Sequence, residues 1–262
     1  MIRTSCVYAV LFETAADHTS RGTYQLQDFP RPFVIEPPFS TTNRYQPGET
    51  LTCYLILAGR AIDYMPYFVL TFMELGKAGI GSTRGKYRVQ KINNAIGNRT
   101  DLIYDGPSEK FLEAPLIIST RDLPSLPLES QTISIKFQTP TRIKAGNSLT
   151  NNVTFPLLIQ NLLRRISLVN QVAGNSPWDI DFKGLIQKAT DGVSCKSTAL
   201  SWYEWKRYSS RQKTLMNLGG FLGKIVFEGD LREFFPLLQL GEYLHIGKAS
   251  TFGLGKYEMK LL

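Results

Sequence analysis

The chain has 262 residues, with 30 Lys and Arg against 22 Asp and Glu, a formal net charge of +8 and 43% hydrophobic residues. That apolar content excludes an intrinsically disordered chain, and no uncharged apolar run reaches the ~18 residues of a membrane-spanning helix. The N-terminus does not read as a secretory signal, because Glu13 falls where the small residues of a cleavage site belong. Three cysteines at wide spacing (Cys6, Cys53 and Cys195) argue against a disulfide framework and point to a reducing cytoplasm. With only two histidines beside them, no metal site is expected, and no motif calls for a cofactor.

In chain order, residues 4–13 are rich in β-branched and aromatic side chains and predict a strand. A polar loop with Gly22, Pro30 and Pro32 follows, then a short strand over 33–35 stopped by Pro37-Pro38. Pro47-Gly48 is a turn signal before a strand over 49–58. Asp63 can cap a helix over 64–77, with Pro66 in its first turn and Gly76, Gly79 and Gly81 at its end. Residues 85–92 predict a returning strand, and 93–130 at most an edge hairpin.

The second half is more regular. Residues 132–142 predict a strand. Thr154 can cap a helix from Phe155 to about Val172, stopped by Gly174. Its apolar Leu158, Leu162, Ile166 and Val169 line one face, with Arg164 and Arg165 off it. Strands over 197–208 and 218–227, a helix in 231–244 starting at Pro236, and a closing strand over 251–261 complete the chain. Strand, helix, strand, strand, helix, strand is the split β-α-β order of the ferredoxin-like fold. The first half gives an abbreviated version, so the fold class is α+β: two tandem ferredoxin-like domains, 1–130 and 131–262.

Charge is uneven. Residues 1–137 hold 14 basic and 13 acidic side chains, whereas 138–262 hold 16 and 9. A basic half suggests a polyanionic partner, nucleic acid first. The most informative stretch is GEYLHIGKASTFGLGKYEM, residues 241–259, where Gly247, Gly253 and Gly255 bracket Lys248, Ser250, Thr251 and Lys256. Glycines let backbone N–H groups approach a phosphate, lysines neutralise it, and hydroxyls bond phosphate or ribose. The loop ends a helix and opens a strand, so it fits neither the dinucleotide fingerprint nor a phosphate-binding P-loop. An ordinary helix-to-strand turn is the alternative. On residues 206–213, Arg207, Ser209, Arg211 and Lys213 alternate, which predicts one strand face able to track phosphates. Arg84 and Lys86 form a second glycine-flanked basic turn in 79–89.

HIGKASTFGLGKYEM, together with WKRYSSRQKTLMNLGGFLGKIVFEGDL (205–231), FQTPTRIK (137–144), RPFVIEPP (31–38) and residues 57–92, resembles the RAMP superfamily of CRISPR proteins. Within it the resemblance is to the endoribonuclease that processes the CRISPR precursor RNA, the sixth CRISPR-associated protein family. The likeness covers nearly the whole chain. It implies tandem ferredoxin-like domains and metal-independent cutting of repeat RNA, by attack of a ribose 2′-OH on the adjacent phosphate. Such a reaction needs a base for the 2′-OH, a cation for the phosphorane and an acid for the leaving 5′-oxygen. Two departures stand out: VYAVLFET begins at residue 7, so the family's opening strand and helix are shortened, and Arg31-Pro32 stands where His-Pro is expected.

The residues expected to act follow. His245, beside the Gly247–Lys248 turn, is a candidate general base or acid, and His18 in the early polar loop is its rival. Lys248 is the candidate for charge stabilisation. A histidine-free site of lysines with Tyr24 or Tyr243 stays open. RNA contacts are expected from Arg31, Arg84, Lys86, Arg207, Ser209, Arg211, Lys213, Gly247, Ser250, Thr251, Gly253, Gly255 and Lys256. The partners implied are CRISPR repeat RNA and other CRISPR effector subunits. The alternative reading is a non-cutting subunit that holds guide RNA.

Overall fold

The computed structural model describes residues 6–13, 30–38, 42, 44–96, 99–127, 131–173, 178–209 and 213–262. The described chain divides into two compact units, Met1–Ala61 with Pro124–Leu262, and Ile62–Leu123. The 130/131 boundary expected from element order falls inside the first unit, because the strands of residues 33–57 belong to that unit with the C-terminal half.

In the first unit the chain opens with a short helical segment, Ala9–Glu13, where a strand was expected. Tyr8 stacks on Phe12 with ring centroids 5.3 Å apart, a four-residue spacing that only helical backbone brings together, and Leu11 is buried. Strand β1 (Phe33–Glu36) pairs antiparallel with β2 (Tyr54–Leu57). The expected strand over 49–58 is thus confined to its apolar end.

The second unit carries α1 (Met65–Ala78), with Pro66 in its first turn and Gly79 at its end. Asp63 is not its cap; Tyr64 occupies that position without a side-chain bond. Tyr87 docks on the helix, its hydroxyl donating to the Phe72 carbonyl at 2.7 Å and its N–H to Gly76 O at 3.1 Å. The returning strand starts later than predicted: β3 (Lys91–Ile96) pairs with β4 (Arg99–Asp105), which pairs with β5 (Lys110–Phe111).

The C-terminal half follows the predicted order closely. β6 (Thr132–Thr141) leads into a small hairpin, β7 (Ile143–Ala145) and β8 (Ser148–Thr150). Helix α2 (Phe155–Val172) is capped by Thr154, whose hydroxyl accepts from Leu157 N. Next comes α3 (Phe182–Gly192), an addition to the predicted elements, which Asp181 caps through Gly184 N at 2.9 Å. It runs into β9 (Val193–Tyr203). β10 (Lys206–Ser209) and β11 (Thr214–Asn217) form a separate two-stranded ribbon. β12 (Gly220–Gly229), α4 (Phe235–Leu244) and β13 (Tyr257–Leu261) close the chain.

The main sheet has the antiparallel order β13-β6-β12-β9, the ferredoxin-like arrangement in which the first and third strands are central. Its covered face packs Ile133, Ile135, Phe137, Phe221, Ile225 and Phe227 against α2 and α4. Leu158, Leu162, Ile166 and Val169 are all buried, as their spacing requires. Arg165 is a correction: it is buried as well, at 7% exposure. Burial pushes its guanidinium down to about 10, and its Nε donates to Leu244 O, 3.1 Å away at the end of α4. A cation there is favoured by the helix dipole, and it fixes the point where the glycine-rich segment begins. No helix among the described residues is long and apolar enough to cross a membrane.

Candidate nucleic-acid interface

The segment between α4 and β13 doubles back on itself. His245, Gly247, Ala249, Gly253 and Gly255 all have positive φ, between 60° and 82°. At Gly255 (φ 74°) a Cβ would collide with the Ile246 carbonyl, across which Ile246 N donates to Gly255 O at 3.0 Å. At Gly247 a Cβ would come within 2.6 Å of Arg142 O, and Lys248 N donates to that same carbonyl at 3.0 Å. These glycines therefore serve close approach of protein backbone to protein backbone. That differs from the phosphate cradle expected of Gly247, Gly253 and Gly255. Ser250 is buried; Thr251 is half-buried.

What the loop brings to the surface is Lys248. Burial and the nearby positive charges of Lys144, Arg142 and Arg164 push its ammonium down. These side chains come from three elements: Arg142 and Lys144 from the β6–β7 junction, Arg164 from the outer face of α2, and Lys248 from the loop. The Nε of Arg142 is buried without a hydrogen-bond partner among the described residues. Cations this close repel one another, and an anion placed among them would relieve that repulsion. Sequence reasoning singled out Lys248 and missed the other three. The TRIK run at 141–144 and Arg164-Arg165 were the signals available.

His245 lies beneath this surface. Its exposure is 0%. Nδ1 is 3.1 Å from Leu254 O and Nε2 is 2.8 Å from Glu36 Oε1, so each ring nitrogen faces an acceptor. Glu36, at the end of β1, is itself 3% exposed, and its Oε2 accepts from Lys256 Nζ at 2.5 Å. Burial alone would raise the Glu36 carboxyl, but the hydrogen bonds and charges of His245 and Lys256 outweigh it and hold the group below its ordinary value. Lys256 also lies over the Tyr54 ring, 5.6 Å from its centroid. Its ammonium is thus engaged by protein groups while part of the side chain stays exposed. The expected approach of His245 to a phosphate is at odds with its burial.

A carboxyl lowered by folding stabilises the fold above its unfolded pKa, and the gain is lost as pH falls through the lower folded value. Acid titration of stability should therefore show a component below about pH 4.5, the ordinary glutamate value. It should be absent in Glu36→Gln; denaturant melts from pH 7 to 3 check this.

The remaining candidates are dispersed. Arg207 is exposed on β10, but the strand ends at Ser209, and Lys213 occupies the hairpin turn with φ 51°. The single strand face running from 207 to 213 is therefore interrupted by a turn. Arg211 and His18, with Tyr24, lie outside the described residues. Arg31 is half-buried just before β1. Arg84 and Lys86 belong to the second unit, Arg84 in a turn closed by the Ile80–Gly85 bridge and Lys86 just after it.

Residues 135–257 match the family model described as CRISPR-associated endoribonuclease Cas6, and residues 1–116 match one described as an N-terminal domain. An uncharacterized protein of Archaeoglobus fulgidus is 27% identical over 263 residues, covering 97% of this chain and 80% of that protein. Among solved structures, a product complex of Thermus thermophilus Cas6 (TTHB231) superposes with a TM-score of 0.56 at 16% identity, over 88% of this chain and 82% of that one. A product complex of Cas6 (TTHA0078) gives 0.54 at 14% identity, over 97% and 89%. The fold likeness thus spans both halves and carries the tandem ferredoxin-like plan. Residues 135–257 thus resemble a Cas6 endoribonuclease-family domain, and the chain shares the fold of the solved Cas6 structures.

Proposed function

We propose that this protein binds the repeat RNA of a CRISPR transcript, in the cytoplasm, and cuts it without a metal ion. The 2′-oxygen attacks the adjacent phosphorus as its proton leaves, and the P–O5′ bond breaks. The 5′-oxygen takes up a proton, giving a 2′,3′-cyclic phosphate and a 5′-OH. The observation that supports this reading most directly is the group of cations acting on Lys248, with Arg142, Lys144 and Arg164 around it. Preorganised cations of this kind hold a phosphodiester and offset the charge gained in the phosphorane. A second reading, a guide-RNA-holding subunit that does not cut and that docks with other effector subunits, is favoured by the complete burial of His245.

The test of the site is salt dependence. Each phosphate contact removed should lower the slope of log K against log salt by about 0.7 for single-stranded RNA. Arg142→Gln with Lys248→Ala should lower it by about 1.4 and weaken binding of the repeat RNA. An unchanged slope in the double variant rejects this surface as the phosphate site.

A further inference from the structure

Glu36 stands far from the glycine-rich loop in sequence and at its centre in space. One oxygen of its carboxylate meets His245, where the loop leaves α4, and the other meets Lys256, where the loop enters β13. The strand that carries it also forms the floor. A Cβ on Gly253 would lie 2.8 Å from Pro37 Cδ and 3.0 Å from Ile35 O. Thr139 of β6 adds a third tie, its hydroxyl donating to Gly253 O at 2.9 Å and accepting from Lys256 N at 2.8 Å. Between these ends Lys248 N donates to Arg142 O at 3.0 Å, so the loop is held at its middle by one backbone bond and at its two ends by side chains.

The carboxylate is a demanding tie. A buried charge is tolerated only with partners, and both of its partners are donors on the loop. If one end of the loop lifted, the carboxylate would lose a charge-assisted bond in a site closed to water. The closed loop is thus favoured over an open one in a way that backbone hydrogen bonds at a water-accessible surface would not match.

We infer that Glu36 is the positioning residue of the RNA site: by pinning His245 and Lys256 together it holds the loop so that Lys248 joins Arg142, Lys144 and Arg164. This rests on the reading of that cluster as the phosphate site. Glu36 touches no RNA. Its effect reaches the ligand through the loop, so strand β1 near the chain start governs a binding surface built from the C-terminal half.

The experiment uses the full chain in three forms: wild type, Glu36→Gln and Glu36→Ala. Two readouts are taken, the salt slope of repeat-RNA binding and the NMR titration of the Lys248 ammonium without RNA. The glutamine variant keeps the shape of the side chain and removes its charge. Positioning predicts that both variants lose about 0.7 of the slope, one phosphate contact. It also predicts that the Lys248 ammonium moves back up toward the ordinary lysine value as it leaves the other cations. Lowered stability with slope and Lys248 titration both as in wild type overturns the inference and leaves Glu36 a purely structural residue. If the alanine variant does not fold, the glutamine variant decides by the same criteria. If wild type binds no repeat RNA, the reading of the cluster fails, and the Lys248 titration alone decides whether Glu36 holds the loop.

Discussion

A repeat RNA with a single 2′-deoxyribose at the scissile nucleotide is expected to bind and remain uncut. Loss of one hydroxyl removes at most about one hydrogen bond from the complex, so affinity should fall by less than about tenfold. The same substitution removes the nucleophile, and no rearrangement of the protein replaces it. Cutting of the all-ribose RNA should persist in excess chelator if, as proposed, Lys248 and its neighbouring cations meet the charge on the phosphorane. Removing one oriented donor of that type typically costs about 10²–10³ in rate. Single-turnover assays on the two RNAs, with product ends identified by mass, check this. A cut in the deoxy RNA, or a product ending in a 3′-hydroxyl, would show that water rather than the 2′-OH is the nucleophile.

The C-terminal sheet and its helices were legible because several signals agreed at each element. Around α2, the Thr154 cap, the early Pro156 and the spacing of Leu158, Leu162, Ile166 and Val169 all specify one helix. Where a signal stood alone it misled. Residues 6–13 have the composition of a strand, but a short apolar run does not distinguish strand from helix, and Tyr8 on Phe12 decides it. Helix α3 was not predicted, although Phe182, Leu185, Ile186 and Ala189 recur at helical spacing behind the Asp181 cap and pack toward the core. The spacing of four apolar residues placed Arg165 off the core face, but the buried face is wider and takes in Arg165 beside Ile166.

The site divides the same way. Gly247-Lys248 announced itself because glycine and lysine are adjacent in sequence. Arg142, Lys144 and Arg164 join it only through the packing of α2 and the β6–β7 junction beside the loop, which no local pattern encodes. The pairing of Glu36 with His245 crosses almost the whole chain. That pairing reverses what the local sequence suggests for the histidine: beside a glycine-lysine turn it reads as a group facing phosphate, whereas β1 closes over it.

This reversal gives His245→Ala a distinctive expected phenotype. Removing a partner of a buried carboxylate, so that its charge is less compensated, costs about 3–5 kcal/mol. Glu36 keeps its bond to Lys256, which places the loss near the lower end, about 3 kcal/mol. For a chain of this size each kcal/mol lowers Tm by about 2–4 °C, so a drop of about 6–12 °C is expected. The RNA phenotype should follow the loop: weaker binding and a shallower salt slope, with the cleavage rate at saturating protein reduced far less than the 10²–10⁴-fold expected for loss of a general base. A histidine that did proton transfer would give the opposite split, with affinity and salt slope kept and the single-turnover rate down by two decades or more. The same split on His18→Ala would move the base to the early segment. Calorimetry, salt-dependent binding and single-turnover cutting on wild type, His245→Ala and Glu36→Gln separate these outcomes. In the positioning case the His245 and Glu36 variants share one phenotype, because each releases the same loop from the same strand.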